Sequence, residues 1–293
     1  MKARALPLLA VLVSVNSYQL GAVFGKRLFP LIGPESSTAL RLLFAAIILA
    51  AVWRPWRGAR LKRGQVLVIV VYGVTLGLLN LFFYMAIRTI PLGIAVALQF
   101  LGPLGVAVLG SHRGADLLWI GLAGLGVVLL LPPEQIGAAL DWAGLGYALS
   151  AALLWAAYII FGQKAGQGLH GGRVTALGVA VGALAVVPFG VSQARGDILS
   201  AAVLLPALGV AVLSSALPNS LEMFALKRIP ARVYGILMSL EPALAALYGR
   251  WMLHEHLVQR QWWGIVCVIV ASMAISLLSR RSLDSDGLHQ PAT

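Results

Sequence analysis

Apolar residues gather along this chain into ten runs, separated by short stretches that carry Gly, Pro and basic side chains. Each run approaches the roughly 20 residues that a helix needs to cross a bilayer. The pattern predicts helices over 5–25, 35–53, 66–87, 91–110, 116–132, 142–162, 174–192, 199–226, 232–253 and 259–279. Connections fall at Pro30, Gly33-Pro34, Pro132-Pro133, Gly171-Gly172 and Gly196-Asp197, residue types that end helices or turn the chain. The fold class this implies is an all-α membrane protein.

The runs are not independent. The segment 80–110 matches 219–249 at a constant offset of 139 residues, without a gap. Nine pairs are identical, and polar Asn80/Asn219 and helix-breaking Pro91/Pro230 and Pro103/Pro242 are among them. The offset spans five predicted helices, an odd number, so the second copy is expected upside down relative to the first. The expected architecture is therefore ten transmembrane helices in two inverted five-helix repeats, 1–140 and 141–279, with a cytoplasmic tail over 280–293. Inverted repeats with interrupted helices mark secondary transporters, whose substrate site lies between the halves.

Composition narrows the class further. The chain is 60% hydrophobic and 11% charged, with a mean hydropathy of +0.90. That charge is too sparse to cover a soluble protein of 293 residues, so lipid must solvate most of the surface. The net charge of +12 does not point to nucleic acid, because the basic residues sit in short loops, where they orient helices. With both termini placed in the cytoplasm, fifteen Lys and Arg fall inside and five outside, and the loops flanking the two repeat copies then face opposite sides. The N-terminal run follows Lys2 and Arg4 but continues through Asn16 without a small-residue cleavage site, which favours an uncleaved first helix over a signal peptide. Cys267 is the only cysteine, which excludes an intrachain disulfide and a thiolate cluster.

Polar groups at membrane depth are costly and each requires a partner or a task. Arg41 falls about six residues into the second helix, roughly 9 Å from its end, either as a structural cation or as a ligand for a substrate carboxylate. Glu222 shares a helix face with Asn219 and is a candidate proton carrier. Glu241 directly precedes Pro242, which lacks the N–H for the carbonyl of Met238; Pro103 leaves the carbonyl of Gln99 free in the same way. Two broken helices at matching depth, one bearing a carboxyl, point to a cavity. Asn16, Asn80, Tyr84, Gln99, Asn219 and Glu241 make up the candidate substrate-binding set, with Glu222 and Glu241 as the proton-coupling pair. His254-Glu255-His256 has the composition of a metal site, but residues two apart on a helix diverge, so no metal is expected. No phosphate-binding glycine loop followed by Lys-Ser/Thr is present, which excludes an ATP-driven pump within this chain.

Several segments resemble the EamA-like branch of the drug/metabolite transporter superfamily. They are Thr38-Ala39-Leu40-Arg41-Leu42, Pro55-Trp56-Arg57, Pro91 to Leu98, Ala216-Leu217-Pro218 with Ser220-Leu221-Glu222-Met223, and Leu237-Met238-Ser239 with Glu241-Pro242-Ala243-Leu244-Ala245-Ala246. The resemblance runs over nearly the whole chain. It implies an exporter of small amino acids, threonine and homoserine, in the bacterial inner membrane. It further implies proton antiport, alternating access around a cavity lined by helices 1, 3, 4, 6, 8 and 9, no organic cofactor, and room for a homodimer. Two positions depart from the family pattern. Gln99 stands where the pattern has Glu, which removes a helix-4 acid from the mechanism and moves attention to Glu222 and Glu241. Leu253-His254-Glu255 replaces Leu-Gly-Glu. Export of another metabolite or drug, and a membrane-embedded enzyme acting on lipid-linked substrates, remain as alternatives.

Overall fold

A computed structural model describes residues 2–278 except 58–60, 110–115, 131–140, 168, 195–196, 227 and 230. The expected tail 280–293, the Pro132-Pro133 turn, Pro230, Gly110 and several loop cations, Arg60, Arg113, Arg195 and Lys227 among them, lie outside the described residues. Among those described, every regular element is helical. In chain order these are α1 (Lys2–Trp53), α2 (Arg63–Thr89), α3 (Leu92–Gln99), α4 (Leu101–Leu109), α5 (Asp116–Leu130), α6 (Trp142–Gly166) and α7 (Gly171–Ser192). There follow α8 (Ala201–Ala211), a π-helical turn over Val212–Ala216, then α9 (Leu217–Leu226), α10 (Ala231–Met238), α11 (Glu241–Met252) and α12 (Gln259–Leu278). Five segments are long and apolar enough to cross a membrane: Leu6–Trp53, Arg63–Thr89, Trp142–Gly166, Gly171–Ser192 and Ala201–Glu222.

The first connection is tighter than the pattern of apolar runs suggests. Instead of an open loop over 26–34, the backbone stays helical to Ile32 and resumes at Pro34, with Gly33 alone departing at φ 78°, ψ 163°. Glycine enters this left-handed region without a Cβ clash. Pro34 then supplies the preset φ of a first helical turn, and its carbonyl accepts the Thr38 hydroxyl at 2.8 Å.

Two further helices are interrupted. α3 ends at Gln99 and α4 begins at Leu101, while α10 ends at Met238 and α11 begins at Glu241. The starts Leu92 and Ala231, like the ends Gln99 and Met238, are related by the 139-residue offset. A proline follows each break: Pro103 and Pro242 cannot donate to the carbonyls four residues back. A third proline acts differently. Pro218 cannot donate to Ser214, and the helix widens over Val212–Ala216, with the Leu217 N–H reaching back to the carbonyl of Val212. The carbonyl of Leu213 in this turn accepts the Ser17 hydroxyl of α1 at 2.6 Å.

Packing relies on small residues, as expected where lipid leaves no hydrophobic drive between helices. α2 lies against α6 and α7, α5 against α12, α3 against α11, and the second half of α1 against α7. A methyl built on Gly77 would stand 2.5 Å from the carbonyl oxygen of Gly182, so α2 and α7 touch backbone to backbone. One apolar cluster gathers Val23, Ile87, Leu92, Leu98 and Ile265, and a second gathers Leu42, Leu49, Ile69, Val179 and Val186. The cavity described below is lined from both.

One polar tie closes an end of the bundle. The Lys26 ammonium lies 2.7 Å from Glu255 Oε1, and Glu255 Oε2 accepts the Leu92 N–H at 2.8 Å, satisfying a donor in the first turn of α3. Arg27 donates to the carbonyl of Met252 at 2.9 Å. Glu255 is thus engaged in holding α1, α3 and α11 together, and no cluster of three metal-binding side chains occurs among the described residues.

Candidate substrate cavity

A cavity of about 590 Å³ opens among these helices. Its wall carries one cation and two carboxyls, Arg41, Glu222 and Glu241, together with Asn80, Gln99, Asn219, Tyr18, Gln19, Tyr84, Tyr158, Tyr234, Ser214 and Ser215. Leu79, Phe83, Phe100 and Trp155 supply apolar surface. Charged groups in such a setting persist only when their partners or their ligands are supplied.

The cation is held by α2. Arg41 is buried on α1; its Nη2 donates to Asn80 Oδ1, and its guanidinium carbon stands 4.7 Å from the centre of the Tyr84 ring. Asn80 is fixed in turn by donating Nδ2 to the carbonyl of Leu76 at 2.7 Å. The pair Asn80 and Tyr84, four residues apart on one helix face, thus aims the guanidinium without neutralising it. No carboxylate pairs with Arg41 among the described residues.

The carboxyls meet α1. Glu241, first residue of α11, accepts Gln19 Nε2 at 3.1 Å through Oε1, while its Oε2 has no protein partner. Glu222 on α9 accepts the Ser14 hydroxyl at 2.9 Å. Asn219, one turn before Glu222, accepts the Tyr18 hydroxyl at 3.1 Å. Among the described residues, Gln19 Oε1, Arg41 Nε and Glu241 Oε2 are buried around the cavity without a hydrogen-bond partner, while the Tyr84 and Ser214 hydroxyls meet each other. Buried polar groups are nearly always paired, and these are gathered around one cavity.

The structure brings Asn80, Tyr84, Gln99, Asn219, Glu222, Glu241, Arg41 and Pro103 to the cavity wall. It does not bring Asn16 there. Asn16 donates to the carbonyl of Leu12 at 2.7 Å and accepts the Tyr248 hydroxyl at 3.0 Å, so it ties α1 to α11. Pro242 is buried behind the wall beside Glu241. The expected set of lining helices is also too narrow, because Arg41, Thr175 and Ser272 add the second half of α1, α7 and α12. Missing from the expected set are Tyr18, Gln19, Ser14, Ser214 and Tyr234. None has an identical residue at the repeat offset, although Ser14, Tyr18 and Gln19 share one short polar stretch with Asn16 and Ser17. The one signal available for Ser214 is Pro218, whose missing donor predicts a disturbed helix four residues earlier.

Ten-odd polar side chains converge on a cavity inside a bundle of membrane-length helices, the arrangement of a transporter. The chain belongs to the EamA-like transporter family, whose model matches residues 5–130 and 142–277. It is 47% identical over 277 residues to the threonine/homoserine exporter RhtA of Salmonella typhimurium strain LT2, covering 94% of this chain and 93% of that one. It is 46% identical over 276 residues to the exporter of the same name from Escherichia coli strain K12, again covering 94% and 93%. A protein of known crystal structure shares the fold with a TM-score of 0.60 at 16% identity, over 96% of this chain and 98% of that one.

Proposed function

We propose that this chain is a secondary exporter of small amino acids, threonine and homoserine, in the bacterial inner membrane, driven by proton antiport. The single observation that carries the substrate class is the meeting of unpartnered groups of both signs in one cavity: Arg41 Nε and Glu241 Oε2. An α-amino acid presents one carboxylate and one ammonium. The carboxylate is complementary to the Arg41 guanidinium, which binds such groups through paired N–H donors, and the ammonium to Glu241. The names of the RhtA relatives supply the particular substrates. The same arrangement disfavours lipid-linked substrates, which would have to be drawn through the bundle to reach it.

Glu222 takes the proton-coupling role in this reading. It lines the cavity, half-buried, and is held by the Ser14 hydroxyl, whose lone pairs can accept as readily as its hydrogen donates. That partner suits both protonation states of the carboxyl. Protonated Glu222 would permit solute release, and loss of the proton would reset the site.

The ten-helix, two-repeat arrangement is part of the same proposal. Read as two spans on either side of Gly33, α1 completes a set of ten. The contacts of α5 with α12 and of the second half of α1 with α7 each pair a segment with its counterpart at the repeat offset, and α3 meets α11, the other half of the broken helix that repeats it. That is the pattern a two-fold axis in the membrane plane would generate. With both termini in the cytoplasm, the Lys26–Glu255 tie faces outside, and Glu222 lies towards the cytoplasmic mouth.

The test is uptake of labelled threonine and homoserine into inverted membrane vesicles carrying the protein, with and without a pH gradient. Concentrative uptake that collapses with the gradient is the expected result. Uptake indifferent to the gradient removes proton coupling, and no uptake of either amino acid removes the substrate class.

A further inference from the structure

We propose that Lys26 and Glu255 form the latch of the outer gate, and that the backbone of His254 sets how readily it opens; the inference rests on the transporter reading above. Theirs is the one ion pair among the described residues, at 2.7 Å, and it is partly shielded from water, with Lys26 21% and Glu255 12% exposed. It joins α1 to the segment that follows α11, while the second Glu255 oxygen takes the Leu92 N–H of α3 at 2.8 Å. Arg27 adds a bond to the carbonyl of Met252 at 2.9 Å. One carboxylate from the second half of the chain thus holds two helices of the first half.

The tie stands directly beyond the cavity. Ala22 and Val96 line the cavity, and Lys26 and Leu92 lie one helical turn further along α1 and α3, about 6 Å away. Val23 and Leu92 are fully buried, so α1 and α3 leave no solvent path at that level. The helices held there are short rods that end at breaks: α3 stops at Gln99, and α11 starts at Glu241. Such segments can swing about their breaks without unfolding, which is what a gate requires.

The closed latch is held against backbone strain. His254 has φ 55°, in the left-handed region where a Cβ crowds the following carbonyl. That turn lays Glu255 back onto α11. The Glu255 N–H donates to the Gly249 carbonyl at 3.0 Å, and a methyl on Gly249 would stand 2.3 Å from Glu255 Oε2. The carboxyl therefore reaches Lys26 and Leu92 only while His254 keeps this conformation. The ion pair favours the closed arrangement and the strained residue favours release. Opposed contributions of this kind keep two arrangements close in free energy, as a gate that opens in every cycle needs.

The experiment starts from a parent chain carrying Cys267→Ala, which removes the only cysteine, and Ser272→Cys in the cavity wall. A membrane-impermeant maleimide then reads how often the cavity opens, from the outer face in right-side-out vesicles and from the inner face in inverted ones. Lys26→Met and Glu255→Gln should each raise labelling from the outer face about tenfold and slow it from the inner face. Combined, they should add little to either alone, because they remove the same contact. His254→Gly should act in the opposite sense and slow outer labelling about fivefold, since glycine holds the left-handed turn without a Cβ. A tie that serves stability alone gives a lower melting temperature with labelling unchanged, or raised equally from both faces, and either result overturns the latch. Outer labelling that stays level or rises in His254→Gly overturns the part assigned to strain. Threonine uptake by the parent in the same inverted vesicles tests the export reading separately, since its absence beside the expected labelling overturns the substrate and keeps the latch.

Discussion

The two broken helices begin and pause at matching positions but use the residue after the pause in opposite ways. In α11 that residue is Glu241, which faces the cavity and meets Gln19 of α1 at 3.1 Å. Its counterpart at the repeat offset is Gly102 in α4. A methyl on Gly102 would stand 2.1 Å from the carbonyl oxygen of Ala152, so α4 closes directly onto the backbone of α6. α1 and α6 are themselves counterparts in the repeat. One position thus packs a helix in the first copy and carries a carboxyl in the second. A symmetric scaffold needs such an asymmetry to bind an amino acid, because the two ends of the solute bear opposite charges.

If that division of labour holds, substitutions at the two positions should fail in different assays. Glu241→Gln should reduce threonine transport in vesicles by at least 100-fold, since a buried ammonium without its carboxylate partner is strongly disfavoured. The variant should melt close to the wild type in detergent, because the amide preserves shape and the Gln19 contact. A Glu241→Gln protein that transports normally would show that the second break, like the first, serves packing alone.

The carboxyls also differ from each other. Glu222 has a hydroxyl partner in Ser14, while Glu241 keeps one oxygen without a partner. Glu222→Gln should abolish accumulation driven by a pH gradient while leaving exchange of internal for external threonine running. The measurement is counterflow beside gradient-driven uptake in the same vesicle preparation. Equal loss of both would assign Glu222 to solute binding and pass the coupling role to Glu241.

Gly102→Ala tests the other side of the comparison. Overpacking a tight contact costs about 1–3 kcal/mol, so the expected readout is a lower melting temperature with transport per folded molecule near normal. A variant of unchanged stability and impaired transport would mean that the α4–α6 contact opens during the cycle.

Much of this division was legible in the sequence. The apolar runs predicted where helices lie, and the paired prolines predicted where they break, because Pro removes a donor whatever surrounds it. Arg41, Asn80, Glu222 and Glu241 stand out because polar groups are conspicuous in apolar runs. Asn16 was equally conspicuous yet lies off the cavity, since an amide can be satisfied by Leu12 and Tyr248 as well as by a solute. Gln19 and Ser214 stayed hidden for a different reason. Their roles come from α1 lying against α11 and the π-helical turn, contacts between residues about 200 apart in the chain. The Lys26–Glu255 tie is of that kind too, joining residues 229 apart.

The smallest expected effect separates the two prolines. At the first break only Phe100 intervenes between α3 and α4, and its φ of −63° and ψ of −15° are close to helical. Pro103 is then the main obstacle to one continuous helix, and Pro103→Ala restores the donor for the Gln99 carbonyl. At the second break two residues intervene, Ser239 and Leu240, and Ser239 is anchored by hydrogen bonds to the carbonyl of Gly235 at 2.8 Å and to Ser272 at 2.9 Å. Pro242 sits in the first turn of α11, where a missing N–H costs little. Pro103→Ala should therefore straighten its helix and slow transport several-fold, whereas Pro242→Ala should stay within about twofold of the wild type. Initial rates of threonine uptake, normalised to inserted protein, decide between them. A larger effect at Pro242 would show that the Ser239 anchor does not hold the second break open, and that the proline beside Glu241 sets the position of the carboxyl.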